Sequence, residues 1–145
     1  MKTIIKLTLG ILLVSALAGC TPGQIQMLLR SLATPPVAAG DPVHGESIFR
    51  HGSGSAPPCV TCHQIVAGGI GFSVGPNLAD IAHVAETRVE GMDASAYIHQ
   101  SILDPSARLA PGYRNMMYPN YAHDLSAQDI EDVVAFLLTL DGENS

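Results

Sequence analysis

Cys59-Val60-Thr61-Cys62-His63 is the stretch on which the reading of this chain turns. Two cysteines two residues apart, with a histidine directly after the second, form the C-x-x-C-H attachment signature of a c-type haem. Each position has a chemical job. The two thiols add across two vinyl groups, and the intervening pair of residues sets the reach between them. The imidazole of His63 then lies where it can ligate the iron. A bare C-x-x-C would also fit half a zinc site or a redox dithiol. The adjoining His63 and the cysteine count of the whole chain argue against both.

The chain has 145 residues and three cysteines, which is room for one modest domain. Residues 1–19 read as a leader. Lys2 and Lys6 precede a short apolar run over 7–18, the pattern of a secretory signal and short for a membrane span. Leu17-Ala18-Gly19-Cys20 resembles the lipobox of bacterial lipoprotein signal peptides, and that resemblance implies cleavage before Cys20 and acylation of its thiol. An ordinary signal peptide or an uncleaved anchor helix is the alternative. With lipid on Cys20 and a haem on Cys59 and Cys62, no thiol is left for a disulfide or a four-ligand zinc site.

Both lysines fall in the leader. The remainder keeps Arg30, Arg50, Arg88, Arg108 and Arg114 against 13 acidic residues, five charges against thirteen, a net of −8. So acidic a chain is a poor fit to nucleic acid. If electrostatics steer its encounters, the partner surface is expected to be basic. The same acids also serve simply to keep the surface soluble.

Residues 20–40 read as a tether, punctuated by Pro22, Gly23, Pro35, Pro36 and Gly40. Fully extended it reaches roughly 70 Å. Within it, the apolar segment 25–32 suits a short helix that packs on the domain, on lipid or on a partner subunit. The domain is expected over 41–145. Asp41-Pro42 is a helix start, with Asp41 as N-cap and Pro42 in the first turn, and Val43, Ile48 and Phe49 as the buried face up to about Arg50. The haem motif follows a loop over 52–58 and sits on a turn of helix. A glycine-rich loop over 64–76 comes next, then a short helix over about 78–86. A longer helix runs from an Asp93 cap to the stop at Asp104-Pro105, with Ala94, Tyr97, Ile98, Ser101 and Ile102 on one side. Residues 107–124 are expected to be irregular. Ser126 and Asp129 form a capping box for the last helix, in which Ile130, Val133, Val134, Leu137 and Leu138 make one apolar stripe ending at Asp141-Gly142. No strand signal is present.

Taken in order, these features resemble the small mono-haem class I cytochrome c family over roughly residues 41–140. Gly45 and Phe49 match the glycine and aromatic of that family's first helix, where the glycine permits close crossing of the last helix near Val133 or Phe136. Gly75-Pro76-Asn77-Leu78 looks like the segment whose proline carbonyl accepts a hydrogen bond from the ligand histidine. Gly112-Tyr113-Arg114-Asn115-Met116-Met117 resembles the loop that supplies the axial methionine. Counting back eight residues from Leu125-Ser126 favours Met117, with Met116 as the alternative. Tyr118 stands where the family commonly has proline.

The resemblance implies an all-α fold of about four to five helices wrapped around one covalently attached haem c. Cys59 and Cys62 would hold it, and His63 and Met117 would be the axial ligands. Pro76, Tyr113 and Asn115 would stand around it, with Arg88 and Arg108 as further neighbours of the haem edge or propionates. His123 and His99 are the rival sixth ligands, whereas His44, His51 and His83 suit the surface. The implied function is one-electron transfer by an exported protein held to the membrane by lipid on Cys20. The implied partners are redox proteins of a respiratory or photosynthetic chain, including integral membrane subunits of a quinol-oxidising complex, and not nucleic acid. The alternative is a haem sensor or peroxidase-like enzyme with an open sixth position.

Overall fold

Asp41 opens the first helix as its side chain allows. Its carboxylate accepts from the backbone N–H of Val43 and His44, and Pro42 occupies the first turn, where a missing N–H costs nothing. The computed structural model describes residues 38–68 and 73–143. The leader, Cys20 and the 25–32 segment lie outside the described residues, as do Gly69 and Gly71 of the glycine-rich loop.

Among the described residues the fold is all-α, with five helices: α1 (Pro42–His51), α2 (Ile81–Arg88), α3 (Ala94–Leu103), α4 (Tyr121–Asp124) and α5 (Ala127–Leu137). A single 3₁₀ turn, Cys59–Thr61, carries the haem motif. The only strand-like feature among them is an isolated bridge between Ser53 and Ala56.

The crossing of α1 and α5 is the centre of the core. Gly45 lies against the backbone of α5, where a Cβ would fall 1.9 Å from the Asp132 carbonyl oxygen and 2.9 Å from Val133 N. The contact is therefore with backbone, at Asp132 and Val133, and not with a side chain. Phe49, fully buried, meets Phe136 with ring centroids 5.5 Å apart. Ile48 is buried too, but Val43 is 77% exposed, against expectation. Five positions before Ile48, it falls on another side of a helix of 3.6 residues per turn.

Residues 38–41 are bound to α5 as well. Ala38 N–H donates to Gln128 Oε1 at 2.9 Å, and Asp41 N–H to Asp132 Oδ1 at 2.8 Å. Gly40 passes so close that a Cβ would meet the Glu131 carbonyl oxygen at 2.2 Å.

Helix α3 has the expected bounds, with Asp93 accepting from Ala96 N–H. Helix α2 starts three residues later than read. Leu78 N–H is spent on the Gln64 carbonyl at 2.7 Å, and Asn77 Oδ1 takes Ala79 N–H, so the chain turns before it can coil. Helix α5 has the full capping box, Ser126 Oγ accepting from Asp129 N–H and Asp129 from Ser126 N–H. It ends at Leu137 and not at Asp141-Gly142. There the bonding tightens to i→i+3, Thr139 N–H to Phe136 and Leu140 N–H to Leu137. That tightening leaves Leu138 exposed and buries Leu140 in its place. The tail then runs along the start of α2, with Ala82 N–H bonded to Leu140 O and Gly142 N–H to Ala79 O. Residues 107–124, read as irregular, contain the short α4.

Candidate functional site

The motif turn is built by its own backbone. Cys62 N–H and His63 N–H both donate to the Cys59 carbonyl, at 3.1 and 3.0 Å, which folds the five residues into a compact loop. Both thiols are free, half-buried and unpaired by any disulfide. Burial pushes the Cys59 thiol up to about 11, against a hydrogen bond from Tyr121. An undisturbed thiol of this kind is a poor thiolate nucleophile.

His63 is held from two sides. Its Nδ1 donates to the Pro76 carbonyl at 2.8 Å, which fixes the tautomer and leaves Nε2 with its lone pair. Burial lowers its pKa below that of an ordinary histidine, with the Pro76 bond acting the other way, so the ring is neutral and able to donate to a metal. The second side is Gly75. A Cβ there would stand 2.5 Å from His63 Cε1 and 2.8 Å from Nδ1, so only a glycine leaves room for the ring. Gly75 N–H in turn bonds the Cys62 carbonyl at 2.9 Å, and Ser73 Oγ donates to the same carbonyl.

Cys62 and His63 open onto a cavity with a mostly apolar lining. Helix α3 gives it Tyr97, Ile98 and Ile102, and α5 gives Leu137. Leu78, Ile81 and Pro76 close the side next to the histidine. The loop over 108–117 adds Arg108, Tyr113, Arg114, Asn115, Met116 and Met117 to the lining. Arg108 Nε donates to Gln100 Oε1 at 3.1 Å. Met117 is half-buried against the core, whereas Met116 is 61% exposed. Two thiols, one neutral imidazole with a free Nε2, a thioether in the lining and apolar sides make a donor set that fits a covalently held haem.

The structure thus gathers Cys62, His63, Pro76, Tyr113, Asn115, Met116 and Met117 around one cavity, with Cys59 beside it in the motif turn. Arg88, in the last turn of α2, does not line it. Neither do the rival histidines. His123 is 89% exposed and bonds Asp124 at 2.8 Å, and His99 pairs with Glu131 at 3.2 Å. His44 and His83 bond Asp132 and Asp80, each at 2.7 Å, and His51 bonds the Ser47 carbonyl. Gly75 was legible as part of Gly-Pro-Asn-Leu, yet its role as the floor under the imidazole was not. No sequence pattern marks a glycine that faces a ring 12 residues earlier.

A family model for cytochrome c matches residues 45–141, more than half of the chain and all of the site. No curated protein matches it. The motif turn, the neutral imidazole over Gly75 and the apolar cavity all fall within the matched span, and the chain belongs to the cytochrome c family.

Proposed function

We propose that this protein is a membrane-tethered one-electron carrier with a single covalent haem c, ligated by His63 and Met117. The observation that carries the reading is the His63 Nδ1–Pro76 O bond at 2.8 Å, which leaves a neutral Nε2 unspent on a ring that lines the same cavity as Met116 and Met117. Cys59 and Cys62 supply the thioether attachments. Pro76 and Gly75 fix the ring plane of His63, and Tyr97, Ile98, Ile102 and Leu137 keep water from the metal side. When bound, the haem supplies reversible one-electron chemistry, with a potential raised by thioether ligation. The protein's share is ligation, exclusion of water and a docking surface, not acid–base catalysis. Tyr113, Asn115 and Arg108 stand where they can meet the edge of such a group.

The leader, the lipobox at Cys20 and the apolar 25–32 segment support an exported, lipid-anchored carrier facing the periplasm or cell exterior. They also support service in a respiratory or photosynthetic chain, as a subunit of a quinol-oxidising complex. The mass of the purified protein is expected to carry one haem and the acyl groups on Cys20. Oxidised protein is expected to show a sulfur-to-iron charge-transfer band that Met117→Ala abolishes and Met116→Ala leaves in place. A band that survives Met117→Ala and is lost in Met116→Ala would move the ligand to Met116, whereas oxidised wild type without the band, or rapid carbon monoxide binding by the reduced wild type, would replace this reading with an open-site sensor or peroxidase.

A further inference from the structure

The two walls of the cavity are held in different ways. The histidine wall is fixed by backbone bonds through Cys59, Cys62 and Gly75 and by the Pro76 carbonyl. Residues 114–119, which carry both methionines, make no backbone–backbone hydrogen bond. A methionine loop without such bonds needs another fastening if its sulfur is to stay at one depth.

That fastening converges on Asp124, the last residue of α4. Its side chain is only 10% exposed. One carboxylate oxygen accepts the Tyr118 hydroxyl at 2.5 Å and the other accepts His123 Nδ1 at 2.8 Å, with the Ser55 side chain near enough to favour the ionised form. A phenol donating at this distance to an ionised carboxylate is a strong, charge-assisted bond. The Tyr118 hydroxyl, ahead of His123, holds the Asp124 carboxyl below its ordinary range. Tyr118 also stands edge-on to Tyr121, ring centroids 5.1 Å apart, and the Tyr121 hydroxyl donates to the Pro57 carbonyl at 3.1 Å. Ser55 and Pro57 lie in the loop that leads into Cys59. One carboxylate and two tyrosines therefore join the residue after Met117 to the segment before the haem motif.

We propose that the Tyr118–Asp124 bond is the clamp that holds the methionine loop closed over the cavity, with Asp124 a positioning residue for Met117. The inference rests on the ligand reading above. It also explains why this chain dispenses with a rigid residue after the methionine: a tyrosine can be tied down from its far end.

The test uses the haem-loaded full chain at one fixed pH, as wild type, Tyr118→Phe, Asp124→Ala, Asp124→Asn and His123→Ala. Two quantities are measured: the rate at which added imidazole displaces the sixth ligand of the oxidised protein, and amide hydrogen exchange over residues 113–118. Tyr118→Phe keeps the ring and loses only the hydroxyl, so it is expected to fold. It and Asp124→Ala are expected to speed displacement about tenfold or more, the scale of a lost hydrogen bond to a charged group, and to speed exchange in the loop while α1 and α5 stay protected. Asp124→Asn, which keeps an acceptor oxygen, falls between. His123→Ala, at the exposed side of the same carboxylate, leaves both rates near wild type. Wild-type displacement and loop exchange in Tyr118→Phe would overturn the clamp. A wild type without the charge-transfer band would instead remove Met117 as ligand, and loop exchange in Tyr118→Phe alone would then decide whether the clamp exists.

Discussion

Gly75 sets a limit on the site that no polar contact sets. Its backbone conformation is not in the left-handed region, so alanine is tolerated by the main chain. The obstacle is the imidazole itself, 2.5 Å from where the new methyl would stand. A rigid aromatic ring bonded to the Pro76 carbonyl cannot swing aside without breaking that bond. Gly75→Ala is therefore expected to cost about 1–3 kcal/mol by overpacking and to shift the reduction potential of the haem-loaded protein, read by redox titration. An unchanged potential would mean that the ring moves freely, and the account of how His63 is oriented would fail. Cys59, Cys62 and His63 were legible as a motif because covalent attachment of a haem would demand those types at that spacing. What surrounds them was legible only in part. Pro76 was readable from its segment, whereas the bonds of Tyr118 and Asp124 depend on which loops the fold brings together.

At the scale of elements, capping and periodicity read well where one helix could satisfy its own ends. Asp41, Asp93 and Ser126 all cap the helices they precede, because a short acceptor side chain needs only its own next turn. The misreadings share one cause, a competing hydrogen bond, distant at α2 and local at α5. Helix α2 lost its first turn to the Gln64 carbonyl, and α5 lost its last to bonds between its own tail and carbonyls three residues back. The crossing of α1 and α5 gives the element-scale prediction. A methyl at Gly45 would meet backbone, the Asp132 carbonyl at 1.9 Å, and backbone inside a helix cannot rotate away. Gly45→Ala is expected to force the helices apart and to lower stability by at least about 2 kcal/mol, measured by denaturant unfolding. Helix propensity alone would make the same change favourable by about 0.8–1 kcal/mol, so the sign of the result discriminates between crossing and propensity.

For the whole molecule, the bond network at Asp132 links the start of the domain to its end. Its carboxylate is 3% exposed and accepts from Asp41 N–H, His44 Nδ1 and Gln128 Nε2. Burial alone would raise its pKa, but these three bonds together outweigh it and hold the group below the usual carboxylate range. The same pair raises His44, chiefly through the Asp132 bond, with Asp129 and Asp41 nearby. Asp132 therefore contributes stability that is present above about pH 4, its unfolded value, and is lost as pH falls through its lowered folded value. His44 contributes stability that is full below about pH 6.5, its unfolded value, and is lost as pH rises through its raised folded value. Stability measured by denaturant unfolding is expected to be greatest between about pH 4 and 6.5. His44→Ala is expected to flatten the alkaline flank and keep most of the acid one, since Asp41 N–H and Gln128 still hold the carboxylate. An alkaline flank that persists in His44→Ala would assign it to another group.

That same network spans 91 positions of chain between Asp41 and Asp132. A polypeptide made from its amino end cannot form it until α5 has left the ribosome. Leu137, the last wall of the cavity, arrives in the same final helix. The cavity beside Cys62 and His63 is therefore completed only when the two ends of the domain meet.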